Sequence, residues 1–269
     1  MRCISFERFL PKGATRPFLA RTEQEDVYVI KAHGNPLGTK ALFNEYIAGL
    51  LAKEIDLPWP DVHVVRLSHE IIEILNQNDF KVLSEWAMGI KYIEGLKEVT
   101  WPPNINNSDP NFAEQNGEYI MSLFPDTRTH EAFYGKAVFD NWILLEDNSY
   151  DTLHMSAEGH PIFLDASIAL GGLKWEENEL SWKMVIPDRS IYLVGFLFDP
   201  PKFVPWLDKI KNIESASIEK KLGELPKDWK VPNKYISSIN EFFASTNDDF
   251  LQMFEEWMEI EKGVFVDTT

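Results

Sequence analysis

YVIKAHGNPLGTKALFNEYIAGLLAKEIDLPWP, residues 28–60, opens as a strand and closes as a helix. Val27 to Lys31 is β-branched and aromatic, a strand composition. GNPLG at 34–38 is a loop. Thr39 caps a helix predicted to run to about Ile55. Leu42, Tyr46, Ile47, Leu50, Leu51 and Ile55 recur at helical spacing and make its buried face. Leu57-Pro58-Trp59-Pro60 ends it. Glu45 lies at the edge of that face, on the second turn, within reach of Lys31 on the preceding strand. The plainer alternative is a solvated surface glutamate.

Upstream, residues 5–12 (SFERFLPK) read as a strand, GATRP (13–17) as a turn of small residues, and 17–22 as a second strand before an acidic turn. A meander that ends in Lys31 can lay the backbone N–H groups of the turn over phosphates. The turn holds one glycine, a weak signal by itself, and there is no Walker pattern. Downstream, Val62 to Leu67, Glu70 to Leu75 and Phe80 to Trp86 read as strands. IKYIEG (90–95) is extended, and its end at Ile93 to Gly95 is a place for an adenine edge. Residues 100–111 are rich in Pro and Asn and read as a loop. Helices are expected over 111–124 and 131–145.

The next stretch is WILLEDNSYDTLHMSAEGHPIFLDASIA (142–169). A polar turn, a short strand, a Glu158-Gly159 turn and a second strand bring Asp147 and Asp165 to the two ends of one hairpin. Phosphoryl transfer needs such a pair, one carboxylate facing the acceptor hydroxyl and one holding Mg²⁺. A hairpin with solvated acids at its tips is the bland alternative. Residues 171–184 form a Gly-led loop. Ser190 to Phe198 is apolar, and periodicity does not separate strand from helix there. The remainder reads as four helices: Lys202 to Ile210, Ile213 to Leu222, Asn233 to Ala244 and Asp248 to Lys262.

The 269 residues suffice for one large domain or two lobes sharing a cleft. A formal net charge of −17 argues against nucleic-acid partners and a membrane-surface role. One cysteine, Cys3, allows no internal disulfide, and a reducing cytoplasm is the expected compartment. No apolar run spans a membrane, and the first ten residues lack a signal-peptide core. The six histidines form no HxxxH or HExxH pair, and no GxSxG elbow exists. Trp86, Trp101, Trp175 and Trp182 suit a carbohydrate or peptide groove, or more plainly a core. Asp248-Asp249 and Glu255-Glu256 read as solvated helix faces.

Four blocks together, GATRP (13–17), residues 28–60, FDNWILLEDNSYDTL (139–153) and IFLDASIAL (162–170), resemble the HipA-like kinase family in a short single-chain form. LPKDWKV (225–231) is a weaker echo. The resemblance implies an α+β, two-lobed, protein-kinase-like fold. Its N-lobe, residues 1–95, would be a small antiparallel sheet with one helix that binds nucleotide. Its C-lobe, residues 96–269, would be mostly helical and carry the catalytic hairpin. The resemblance puts Gly13, Ala14, Thr15 and Arg16 over the phosphates of ATP, Lys31 on the α- and β-phosphates, and Glu45 beside Lys31. It makes Asp147 the catalytic aspartate and Asp165 a Mg²⁺ ligand. The extra N-terminal domain of full-length HipA toxins is not expected, so their DNA-complex roles are not carried over.

The departures cluster in the hairpin. Leu145 precedes Asp147 by two, Asn148 follows it, and Thr152 stands where the family has a metal-binding asparagine. A hydroxyl is a poorer Mg²⁺ ligand than an amide carbonyl. Asp151 substitutes if the loop shifts by one residue. Ala166-Ser167 replaces the turn usual after the metal aspartate. The expectation is an ATP- and Mg²⁺-dependent Ser/Thr protein kinase acting on an unidentified protein. The alternatives are a pseudokinase or nucleotide-binding regulatory module, and a distinct transferase on the same fold.

Overall fold

Five strands carry the N-terminal half: β1 (Arg2–Phe9), β2 (Phe18–Thr22), β3 (Val27–Ala32), β4 (Val62–Leu67) and β5 (Trp86–Lys91). The structure, a computed structural model, describes residues 1–100, 112–145, 153–177, 180, 199–245 and 247–266. The strands close into a barrel in the order β1-β2-β3-β5-β4. Neighbours are antiparallel except β1 and β4, which pair in parallel at Arg2–Arg66 and Cys3–Leu67. The pleat sends alternate residues to opposite faces. Phe18, Ala20, Tyr28, Ile30 and Ala32 enter a cluster with Cys3, Val65, Leu67 and Ala87. Val29 packs against the other, larger cluster.

Several expectations for this half are corrected. The sheet is a closed barrel with one parallel pair, and it carries two helices where one was expected. The stretch read as a strand at Glu70 to Leu75 is helix α2 (His69–Gln77). Ser68 caps it, accepting the Ile71 N–H at 3.3 Å, and Ile71 and Leu75, four apart, are its buried pair. The strand expected at Phe80 to Trp86 begins at Trp86 instead. It pairs with β3 on one side and β4 on the other, and a Cβ at Gly89 would stand 2.9 Å from Val65.

Helix α1 (Thr39–Glu54) follows β3. Gly38, not Thr39, is its N-cap, and no side chain caps it. The connecting loop is braced by buried Asn35. Its amide nitrogen donates to the carbonyls of Ala32 and Gly38, and its side-chain oxygen accepts the Leu37 N–H. Every residue from Lys40 to Gly49 is buried, so α1 is enclosed on all sides and not only on its apolar stripe.

Strands β6 (Lys97–Glu98), β7 (Leu153–Met155) and β8 (Pro161–Phe163) form a small antiparallel sheet. Around it lie α3 (Phe112–Leu123), α4 (Thr127–Trp142), α5 (Val204–Lys211), α6 (Ser215–Gly223), α7 (Asn233–Ser245) and α8 (Asn247–Val266). Helix α4 starts four residues earlier than expected because the Asp126 side chain caps it. The larger core cluster joins α1, β4 and β5 to Phe133, Phe139, Trp142, Phe203 and Phe254 of the helical part. No helix among the described residues is long and apolar enough to cross a membrane. The apolar stretch Ser190 to Phe198 lies outside the described residues.

Gly49 sets how closely α1 approaches the barrel. A Cβ there would stand 2.5 Å from one Val62 methyl and 2.7 Å from the other. Alanine would gain up to about 1 kcal/mol of helix propensity. Overpacking against a χ1-restricted valine costs about 1–3 kcal/mol. Gly49→Ala is therefore expected to lower the thermal midpoint, and an unchanged or raised midpoint in a melting experiment would contradict this packing.

Candidate active site

Strand pleating places Lys31 on the barrel face turned to α1, and the braced loop sets Glu45 opposite it. Lys31 Nζ donates to Glu45 Oε1 at 2.5 Å, with 10% and 1% of the two side chains exposed. Glu45 is thus a buried partner, not the solvated glutamate of the plainer reading. Its second oxygen, Oε2, is buried without a hydrogen-bond partner among the described residues.

Asp165 lies two residues beyond β8, in a left-handed conformation (φ 63). Its Oδ1 accepts the Ser167 N–H at 3.1 Å, and the residue is solvent-exposed. Desolvation pushes its carboxyl up. The Lys31 ammonium, the hydrogen bonds from Ser167 and the charge of Lys136 outweigh that and leave it below the usual carboxylate range. Two carboxyl groups therefore act electrostatically on one ammonium. Lys31 is held protonated: burial lowers its pKa, but Glu45 and Asp165 raise it further. Glu45 has the opposite balance. Burial pushes it up, Lys31 only partly offsets that, and Asp165 adds repulsion, so it is pushed up to about 7.

The 13–16 turn is closed by Arg16 N–H to the Gly13 carbonyl at 2.9 Å, with Gly13 at φ 112 and Thr15 buried. Ala14 is exposed. The Arg16 guanidinium is occupied: it donates to the carbonyls of Asn78 (2.9 Å) and Asp79 (3.2 Å) and lies over the Phe9 and Phe80 rings. Beside the turn, Lys12 pairs with Glu98 on β6 at 2.9 Å, tying the β1–β2 tip to the small sheet. The 225–231 segment straps the barrel. Asp228 accepts from the Ser84 hydroxyl at 3.0 Å, Trp229 donates to the Trp86 carbonyl at 3.3 Å, and its ring meets Tyr46 of α1 edge-on.

The structure brings Lys31, Glu45 and Asp165 together. Asp147, Asp151 and Thr152 lie outside the described residues. Among the described residues, no group of three or more His, Cys, Asp or Glu is arranged to hold a metal. Asp165 is the described carboxylate that suits a hard divalent cation, being an exposed oxygen donor on a fixed backbone. Sequence reasoning missed Lys40, Asn44 and Tyr235, which hold the backbone just after Asp165. Only the i, i+4 spacing of Lys40 and Asn44 hinted at a shared face.

Comparisons with known proteins bear on this geometry. Residues 4–115 match the model of a family described as HipA-like kinase. No curated protein matches the chain. Among solved structures, the Helicobacter pylori proinflammatory kinase CtkA is similar with a TM-score of 0.65 at 12% identity, covering 95% of each chain. A Golgi casein kinase gives 0.49 at 11% identity over 92% of this chain and 72% of its own. The same kinase with Mn/ADP bound gives 0.47 at 10% identity over 93% and 73%. The chain has a kinase-like α+β fold.

The raised Glu45 carboxyl has a pH signature. The folded state holds this proton more tightly than the unfolded chain, whose glutamates titrate near 4.5. That contribution is fully present below pH 4.5 and is lost as pH rises to about 7. Urea denaturation at pH 5, 6 and 7 should show wild type losing stability relative to Glu45→Gln. Parallel trends in the two proteins would show that Glu45 is not the titrating group.

Proposed function

We propose that this chain is an ATP-dependent phosphotransferase that passes the γ-phosphoryl group to a Ser or Thr hydroxyl of a protein. The observation that carries the reading is the buried Lys31–Glu45 pair with Asp165 beside it. Phosphoryl transfer asks mainly for positioning and charge neutralisation. Lys31 neutralises the α- and β-phosphates, and Glu45 holds its ammonium in place. Asp165 would hold Mg²⁺, with Thr152 or Asp151 as the further ligand the resemblance implies, and the cation would supply charge neutralisation. Asp147 accepts the proton of the acceptor hydroxyl. Because the Arg16 side chain is engaged elsewhere, the 13–16 turn serves through its backbone. The Ile93–Gly95 turn receives the adenine edge. The barrel part and the helical part act as the two lobes. A cytoplasmic setting fits the single cysteine, and the net charge of −17 argues against a nucleic-acid partner.

Radiolabelled ATP with Mg²⁺ tests the reading. Label should enter Ser or Thr of the chain itself or of an added protein acceptor, and chelation by EDTA should stop it. Asp165→Ala, Asp147→Asn and Lys31→Ala should each lower the rate by about 100-fold or more, the scale for losing one electrostatic stabiliser. Undiminished transfer in Lys31→Ala and Asp147→Asn would make these roles wrong.

A second reading is a pseudokinase or nucleotide-binding regulatory module, favoured by Leu145, Asn148 and Thr152 in the altered loop. Stabilisation by ATP without transfer would select it, and no effect of ATP would overturn both readings. If the loop limits metal binding, Thr152→Asn, which restores an amide carbonyl, lowers the Mg²⁺ concentration needed for half-maximal transfer or stabilisation. An unchanged requirement would show that position 152 is not a metal position.

A further inference from the structure

Just past Asp165 the chain makes a left-handed bend. Leu170, Gly171 and Gly172 have φ of 51, 77 and 77, a region that a residue such as leucine rarely adopts. The carbonyls of Leu170 and Gly172 point at one atom, Lys40 Nζ, at 2.7 and 2.8 Å. Lys40 also donates to Asn44 Oδ1 at 3.0 Å. Its ammonium lies 4.8 Å from the Tyr235 ring centroid and 5.7 Å from that of Trp175. A buried ammonium is costly unless its hydration is replaced. Lys40 is 2% exposed, and among the described residues these three neutral oxygens and two ring faces take the place of water.

Asn44 and Tyr235 complete the clasp. Asn44 Nδ2 donates to the Ser167 carbonyl (2.8 Å) and the Gly172 carbonyl (2.9 Å), and the Tyr235 hydroxyl donates to the Leu170 carbonyl at 2.5 Å. Ser167 is the residue whose N–H meets Asp165 Oδ1. Asn44 therefore holds by its carbonyl the same residue that orients Asp165 by its amide. Lys40 and Asn44 share α1 with Glu45. One helix consequently grips both the phosphate-facing lysine, through Glu45, and the backbone behind Asp165, through Lys40 and Asn44.

We propose that Lys40 is a positioning residue for Asp165. With Asn44 and Tyr235 it locks residues 167–172 to α1, so that the Asp165 carboxylate meets a divalent cation in the same frame as Lys31–Glu45. Folding alone then assembles this half of the site, with no separate event needed to order the segment. The inference rests on the reading of Asp165 as a metal ligand.

Two measurements test it: amide hydrogen exchange over residues 166–172, and the Mg²⁺ concentration that gives half of the ADP-dependent thermal stabilisation. In Lys40→Met, exchange in the segment should speed up. The Mg²⁺ requirement should rise about 10-fold or more, the scale for groups that orient a metal ligand. Stabilisation by ADP in EDTA should stay as in wild type. Tyr235→Phe, a milder change, should shift both readouts the same way by less. Asp165→Ala should abolish the Mg²⁺ dependence. A wild-type Mg²⁺ requirement in folded Lys40→Met overturns the proposal, whatever the exchange shows. If that variant does not fold, a wild-type requirement in Tyr235→Phe overturns it. No ADP or Mg²⁺ effect in wild type removes the proposed function and this inference with it, while faster exchange in Lys40→Met would then leave the clasp as a purely structural device.

Discussion

An ammonium and a carboxylate meet 2.5 Å apart between the barrel and α1, almost out of reach of water. Removing two such ions from water costs several kcal/mol each, and their attraction offsets this only in good geometry. Much of the surrounding structure supplies that geometry. The pleat of β3 turns Lys31 toward α1, Asn35 braces the loop between them, and Gly49 lets the helix lie against Val62. The charge of Asp165 also acts on the ammonium. This explains why Lys31 is stabilised as a cation while Glu45, buried and repelled by a second carboxylate, holds its proton unusually well.

Helix α1 is the common frame. From Lys40 to Gly49 it is buried on all sides, and its buried polar residues meet partners there. Glu45 takes Lys31, Asn44 takes the Ser167 and Gly172 carbonyls, and Lys40 takes the Leu170 and Gly172 carbonyls. Its back is covered by the chain itself, with Trp229 set edge-on to Tyr46 and Lys221 of α6 paired with Glu54 at 2.9 Å. A polar group in such surroundings costs free energy unless it is bonded, so each bond also selects one placement of the helix.

Charge is distributed unevenly over this acidic chain. The formal net charge is −17, yet three lysines, Lys31, Lys40 and Lys136, are buried in or near the site. Lys136 pairs with Asp140 within α4 and adds to the field that keeps Asp165 ionised. The exposed pairs, such as Lys53–Asp61 or Arg128–Asp126, contribute little to stability because water screens them.

The sequence by itself determined the local elements whose signals are local. The strand at Val27 to Lys31, the helix from Thr39 and the β7–β8 hairpin follow from β-branched composition, 3.6-residue spacing and a Glu-Gly turn. The Lys31–Glu45 partnership was legible because strand, short loop and helix leave few ways to place the two residues. Helix α2 was misread as a strand, since Glu70 to Leu75, rich in isoleucine, is too short to separate the two periods until the Ser68 cap is weighed. Tertiary structure alone decided the rest. Barrel closure pairs residue 3 with residue 67, Glu45 is buried because α1 is enclosed on every side, and Lys40 meets carbonyls 130 and 132 positions away. Contacts between residues so distant in the chain leave no periodicity or spacing to read. They exist only once packing has excluded water and left these polar groups to one another.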